Sequence, residues 1–229
     1  MKLISVNIGK IRSYSWRNET QSALHKLPVQ DLQIIEPLGL IGDEQADKKN
    51  HGGLDKAIFI LPEQNYELFN IHQPFGFLGE NLTISGLDET EVCLGDRFQI
   101  GNVLLEVTQP RSPCWKLGQQ ASSQEEWSAG EFLKHYSESG RVGFYCRVLA
   151  KGSVQAGQSV TWLTRDNTAA EKHGIPEKIT IQTLFLAKQL HRTEQDWTLL
   201  KTALKHPALS SAWKANIEQL LSQPIVGKP

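Results

Sequence analysis

A chain of 229 residues, 39% of them hydrophobic, can bury one sizeable core, or a core with a small second unit. Its 24 Lys and Arg against 25 Asp and Glu leave a formal charge of −1, which argues against a global electrostatic grip on a nucleic-acid polymer or an anionic membrane. No apolar stretch approaches a signal peptide or a membrane span. Three widely spaced cysteines without a CxxC argue against a disulfide framework and structural zinc, so a cytoplasmic location is expected.

Strand and turn signals dominate residues 1–165. "KLISVNIGKI" alternates apolar and polar residues, "DLQIIEPLGLIGD" runs into a glycine turn, and "KAIFIL" is a continuous apolar run. "ENLTISG" alternates, "DRFQIGNVLLEVTQP" reads as a hairpin turning at Gly101–Asn102, and "GRVGFYCRVLAKGSV" and "QSVTWLT" complete the set. "PEQNYELFNIH" and "SAGEFLKHYSES" are the convincing helices of this part. The pattern predicts a closed or sandwich-like β-barrel with helical insertions. Past Thr164 a polar stretch with Gly and Pro leads into three helical patterns over residues 168–222. Thr193 with Asp196 forms a candidate capping pair, and Trp213, Ile217, Leu220 and Leu221 fall at helical spacing. The expected organisation is a barrel over 1–165 followed by a small three-helix domain over 168–222.

Three short blocks carry candidate chemistry. In "QPRSPCWKLG", Pro110 should end a strand, and Pro113 biases Ser112 toward an extended backbone. Cys114 is thereby held at a strand end, with Arg111 and Lys116 favouring the thiolate that ligates metals or attacks. A buried, inert thiol is the competing reading, and the residues alone leave both open. Cys146 lies in phase with core residues of a strand, and Cys93 precedes a turn; neither suggests chemistry. In "GDEQADKKNHGGLDKAIFIL", the Gly52–Gly53 pair could converge backbone N–H groups on an anion, with His51 and Lys56 beside it, although taken alone the block is better explained as a polar turn whose Asx residues cap their own backbone. In "GENLTISG", Glu80 and Asn81 could present a carboxylate and an amide to a ligand, or form a plain β-turn. No dinucleotide, P-loop, zincin or hydrolase signature occurs.

Taken in order, "GDEQAD…HGGLDKAI", "GENLTISGLDETEVCLGDRFQIG" and "LLEVTQPRSPCWKLG" resemble the MOSC-domain family, and within it the bacterial YiiM-like branch that joins a β-barrel to a three-helix C-terminal domain. The resemblance spans residues 20–220. It implies a mainly β fold, a MOSC-type β-barrel followed by a small α-helical domain. It also implies a molybdenum cofactor of the molybdopterin form, with Cys114 as both catalytic residue and metal ligand. Arg111, Lys56, His51 and the Gly52–Gly53 turn would serve the cofactor's phosphate, and Glu80 and Asn81 the pterin edges or substrate. The implied reaction is reductive dehydroxylation of N-hydroxylated compounds such as hydroxylaminopurine base analogues, a detoxification, with electrons from a separate flavoprotein reductase. A molybdenum-cofactor or sulfur carrier without its own reductase activity is the alternative. A pyridoxal-phosphate role is disfavoured, because the chain opens almost at the barrel. A third possibility is a non-catalytic binding barrel.

Overall fold

The computed structural model describes residues 1–17, 19–47, 52–124, 126–163, 178–190 and 193–222. Before the first helix stand β1 (Lys2–Gly9), β2 (Arg12–Tyr14), β3 (Thr20–Ser22), β4 (Lys26–Val29), β5 (Gln33–Glu36), β6 (Gly39–Leu40) and β7 (Ile58–Pro62). Helix α1 (Gln64–Leu68) leads to β8 (Leu82–Ser85), β9 (Arg97–Ile100) and β10 (Val103–Pro110). Two more helices, α2 (Trp115–Ala121) and α3 (Ala129–Ser139), precede β11 (Phe144–Ala150), β12 (Gly152–Val154) and β13 (Val160–Leu163). The tail supplies α4 (Ile181–Leu190), α5 (Glu194–Ala203) and α6 (Ser211–Ser222). None of the described helices is long and apolar enough to cross a membrane.

Eight strands form one sheet in the order β13-β9-β10-β11-β7-β8-β1-β4. The expected hairpin is present, with Ile100 opposite Val103. One edge of β1 carries β8, while the other is divided between two partners. Its far half, Val6 to Gly9, pairs with β4. Its near half pairs with the approach to β13: Lys2 bridges Ser159, Leu3 N–H donates to Gln158 O at 2.9 Å, and Val160 N–H donates to Met1 O at 3.1 Å. These bonds curl the sheet into a ring, the expected MOSC-type barrel.

Alternation along the strands separates two apolar bodies. Ile58 and Ile60 of β7 join Leu3, Phe98, Leu105, Val107, Phe144 and Cys146 in the barrel interior. Phe59 and Leu61, one residue out of phase, face the other way and pack with α1 to α6. That outer body includes Tyr66, Phe69, Leu117, Phe132, Tyr136, Leu184, Phe185, Leu200, Trp213 and Ile217, so the tail helices share a core with the helices inserted in the barrel. The expected cap is there, Thr193 and Asp196 forming a reciprocal capping box. The boundary expected at 165–168 lies outside the described residues.

Helix α2 is not anticipated by the sequence pattern. Gly118 at its centre hides it, and the reason is contact: a Cβ there would come within 2.6 Å of Ala129 O and 2.8 Å of Leu133 Cδ1. The glycine, poor in a helix by propensity, lets α2 lie against α3.

Candidate functional site

Strand β10 runs through Pro110, whose missing N–H is tolerated at the strand end, and the chain then crosses Arg111–Pro113 in open backbone to α2. Cys114 sits at that crossing with φ −121° and ψ 163°, just before the helix, and its side chain makes no capping hydrogen bond. It is partly exposed, whereas Cys93 and Cys146 are 1% and 0% exposed. None of the three is in a disulfide.

Cys114 borders two clefts. The first encloses about 680 Å³, its open mouth included, and is lined in part by Lys26, Asp43, Phe59, Asn81, Arg111 and Lys116. Its floor is an ionic knot. Lys26 Nζ lies 2.5 and 2.7 Å from the two Asp43 carboxylate oxygens, both side chains being almost fully buried. Gly9 N–H donates to Asp43 Oδ1 at 2.7 Å, and Asn81 Nδ2 donates to Asp43 Oδ2 at 2.9 Å. The Asn81 carbonyl accepts from Phe59 N–H at 3.1 Å, which commits the whole amide. Asn81 therefore braces Asp43 against β7.

Arg111 is the unusual member. Its backbone N–H donates to Gly143 O at 3.0 Å, and its guanidinium lies over the rings of Phe59 and Tyr136, at 5.2 and 5.9 Å from their centroids. It is 4% exposed, yet Nη1 has no hydrogen-bond partner among the described residues. Burial works against its charge, but Tyr136, Cys114 and Tyr145 outweigh that and hold it charged. A buried cation with an unsatisfied donor, lining a cleft beside a thiol, is arranged for an anion.

The second cleft lies on the other side of Cys114, between the Ser112–Lys116 segment and the tail helices. Lys188 of α4 and Ala212, Trp213 and Asn216 of α6 line it, and Lys56, Tyr145, Cys114 and Lys116 are common to both clefts. Lys116 Nζ donates to Gln21 O at 2.9 Å, and the Arg17 guanidinium lies 4.4 Å from the centroid of Trp115. The β2–β3 hairpin is thus tied to the cysteine segment.

The remaining sequence candidates separate. Gly53 takes φ +98°, a conformation that favours glycine, and starts the 3-10 turn Leu54–Lys56 that brings Lys56 to the cleft. Burial lowers the Lys56 affinity for its proton, with Asp47 and Asp55 opposing. Gly52 leads into this turn and does not line either cleft. His51 lies outside the described residues. Glu80 is not brought to either cleft: its Oε1 accepts from Tyr66 Oη (2.8 Å), Gly76 N–H (2.7 Å) and Thr83 Oγ1 (3.0 Å). Burial raises its proton affinity, and it organises the 76–80 turn. The sequence reading missed Lys26, Asp43 as a partner, Phe59 and Tyr145. Only the Asp43 position carried a local signal, in the acidic block before the glycines.

Residues 47–161 match the model of the MOSC domain. Protein YiiM of Escherichia coli is 35% identical over 173 residues, 71% of this chain and 72% of its own. A protein called Reductase from Gibberella moniliformis is 32% identical over 171 residues, 71% of this chain but 29% of its own length. Among solved structures, YiiM from Geobacillus stearothermophilus superposes with a TM-score of 0.72 at 27% identity, covering 96% of this chain and 99% of that one.

Proposed function

The chain belongs to the MOSC-domain family, and from that premise we propose that it is a molybdenum-cofactor-dependent reductase of N-hydroxylated compounds, with Cys114 as the metal's protein ligand. The observation that carries this reading is the orphaned Nη1 of buried Arg111 beside a partly exposed thiol. Among the described residues no three His, Cys, Asp or Glu side chains gather to hold a metal ion, so donors other than Cys114 would be the cofactor's own. A thiolate is a soft donor suited to that role. Arg111 would take the cofactor's anionic end, Lys116 and Lys56 would add cationic donors at the rim, and the Lys26–Asp43–Asn81 knot would present a rigid polar floor.

When bound, the cofactor supplies a reduced metal able to accept the hydroxylamine oxygen, so that R–NHOH, two electrons and two protons become R–NH2 and water. The protein's own work is positional. Phe59 and Tyr136 desolvate Arg111 and fix its direction, and the extended backbone at Cys114 holds the thiol over the mouth. Electrons would come from a separate flavoprotein reductase. The fungal relative's name supports the redox class. A molybdenum-cofactor or sulfur carrier without reductase activity would need the same Cys114 and Arg111, and turnover separates the two.

The test is molybdenum analysis of wild type and Cys114→Ser made in a host that synthesises molybdopterin, with circular dichroism on both. Near-stoichiometric metal in the wild type, loss in the variant and unchanged spectra are expected. Hydroxylaminopurine should then be reduced by the loaded wild type. Wild type without molybdenum overturns the proposal; metal without turnover leaves the carrier.

A further inference from the structure

Glu89, a fully buried carboxyl with no part in the chemistry above, stands behind Arg111. It opens the 3-10 turn Glu89–Glu91 that follows β8. Its Oε1 accepts from Gly143 N–H at 2.6 Å, and its Oε2 accepts from Asn65 Nδ2 of α1 at 2.7 Å. The same Asn65 nitrogen donates to Arg141 O at 3.2 Å, which ties the carboxyl to the segment leading into β11.

Two routes run from Glu89 to Arg111. The Gly143 carbonyl accepts the Arg111 backbone N–H at 3.0 Å. The Val142 carbonyl, in the same peptide group as the Gly143 N–H, accepts from Tyr136 Oη at 3.2 Å, and the Arg111 guanidinium lies over the Tyr136 ring. Hydrogen bonds in series polarise and strengthen one another. Gly143 itself is wedged in place. It takes φ +73°, and a Cβ there would come within 2.5 Å of Phe59 Cε2 and 2.8 Å of Ile60 O. Phe59 is the other ring beneath the guanidinium. A carboxyl that fixes Gly143 therefore fixes the Arg111 backbone and both of its aromatic supports.

Charge reaches along the same path. Burial raises the proton affinity of the Tyr136 hydroxyl; Arg111 opposes this, while Glu89 and Glu80 add to it. Around Glu89, α1 contributes the neutral Asn65, and its Glu63 and Glu67 are exposed. Arg141 favours the ionised form but is drawn off toward Asp88, at 4.0 Å. Asp88 and Glu91, on the same turn as Glu89, are exposed. Helix α4, joined to this turn by Ile181 N–H donating to Val92 O at 2.8 Å, brings no ionisable side chain over residues 181–184. Burial outweighs Arg141 and the hydrogen bonds, and it pushes the Glu89 carboxyl up to about 7.

We propose that Glu89 is a positioning residue of the first cleft: it holds Arg111 through Gly143 and Tyr136, and its protonation state sets how tightly Arg111 takes an anion. This rests on Arg111 as an anion seat and not on turnover. Neutral Glu89 leaves the guanidinium charge to the ligand, whereas ionised Glu89 competes for it. By reciprocity, an anion in the cleft favours the protonated carboxyl.

Inorganic sulfate is the probe, because it does not titrate between about pH 6 and about pH 8, where calorimetry on cofactor-free full-length protein would compare affinities. Wild type should bind sulfate about fivefold or more tightly at the lower pH, and Glu89→Gln should remove that preference. Wild type alone supplies a second reading. Saturating sulfate should move the loss of stability that accompanies Glu89 ionisation to higher pH, because it raises the folded-state proton affinity. An equal pH preference in wild type and folded Glu89→Gln, or a stability loss that sulfate leaves in place, overturns the positioning role while Arg111 remains an anion seat. No sulfate binding by wild type, or binding kept by Arg111→Met, overturns both.

Discussion

The barrel interior and the floor of the first cleft are made by the same strands and differ by one residue in phase. On β11, Phe144 and Cys146 point into a sealed apolar interior, while Tyr145 between them borders both clefts. On β7, Ile58 and Ile60 fill the interior, and Phe59 carries the guanidinium of Arg111. The interior is stabilised by burying hydrocarbon, at about 25 cal/mol per Å². The cleft side holds a buried ion pair and a buried cation, whose desolvation costs several kcal/mol per ion. The difference teaches that this fold gives up stability on one face of its sheet to keep charges at the edge of a cleft.

Three perturbations sharpen that contrast. The largest effect should come from Asp43→Ala, which leaves the Lys26 ammonium buried without its partner; a loss of about 3–5 kcal/mol in urea unfolding is expected. A loss below about 1 kcal/mol would mean that the pair is effectively solvated.

Next comes pH. Glu89 is fully buried, accepting from Asn65 Nδ2 at 2.7 Å and Gly143 N–H at 2.6 Å, and burial pushes its carboxyl from 4.5 to about 7. Because the folded value lies above the unfolded one, its contribution is fully present below about 4.5 and is lost as pH rises through about 7. Stability should fall by about 3 kcal/mol across that window, and Glu89→Gln should flatten the fall. Equal pH dependence in the two proteins would remove Glu89 from the account. The Gly143 carbonyl holds Arg111 N–H, so this carboxyl also supports the cleft from behind.

The smallest effects separate the cysteines. Cys146→Ser should cost about 1–3 kcal/mol by burying a hydroxyl among Val107 and Ile58, and Cys114→Ser under about 0.5 kcal/mol. In native protein a thiol reagent should modify Cys114 alone, with Cys93 and Cys146 following on unfolding. Burial already holds the Cys146 thiol well above its usual range. Rapid native labelling of Cys146 would contradict a sealed interior.

Much of this fold is legible in the amino-acid sequence. Alternation gave β1 and β11, a continuous apolar run gave β7, and the turn at Gly101–Asn102 gave the β9–β10 hairpin. The placement of Cys114 followed from two prolines. Helix α2 was hidden because the glycine that lets it approach α3 also weakens its helical signature. The knot of Lys26, Asp43 and Asn81 was hidden for another reason: a strand, a loop and a strand start meet only after the barrel has closed. Glu80 and Asn81 are adjacent in sequence, yet alternation sends one toward Tyr66 and the other into the cleft.

The division of β1 between β4 and residues 157–160 has a consequence for how the chain is made. β4 emerges soon after β1, but the partner of Met1 to Leu3 is among the last parts of the barrel to be synthesised. At roughly 5–20 residues per second, that half of the first strand waits on the order of ten to thirty seconds for its neighbour. Until then the newborn polypeptide carries an open strand edge, able to pair with a neighbouring nascent chain. Ring closure, and with it the cleft, is therefore a late event in the life of each molecule.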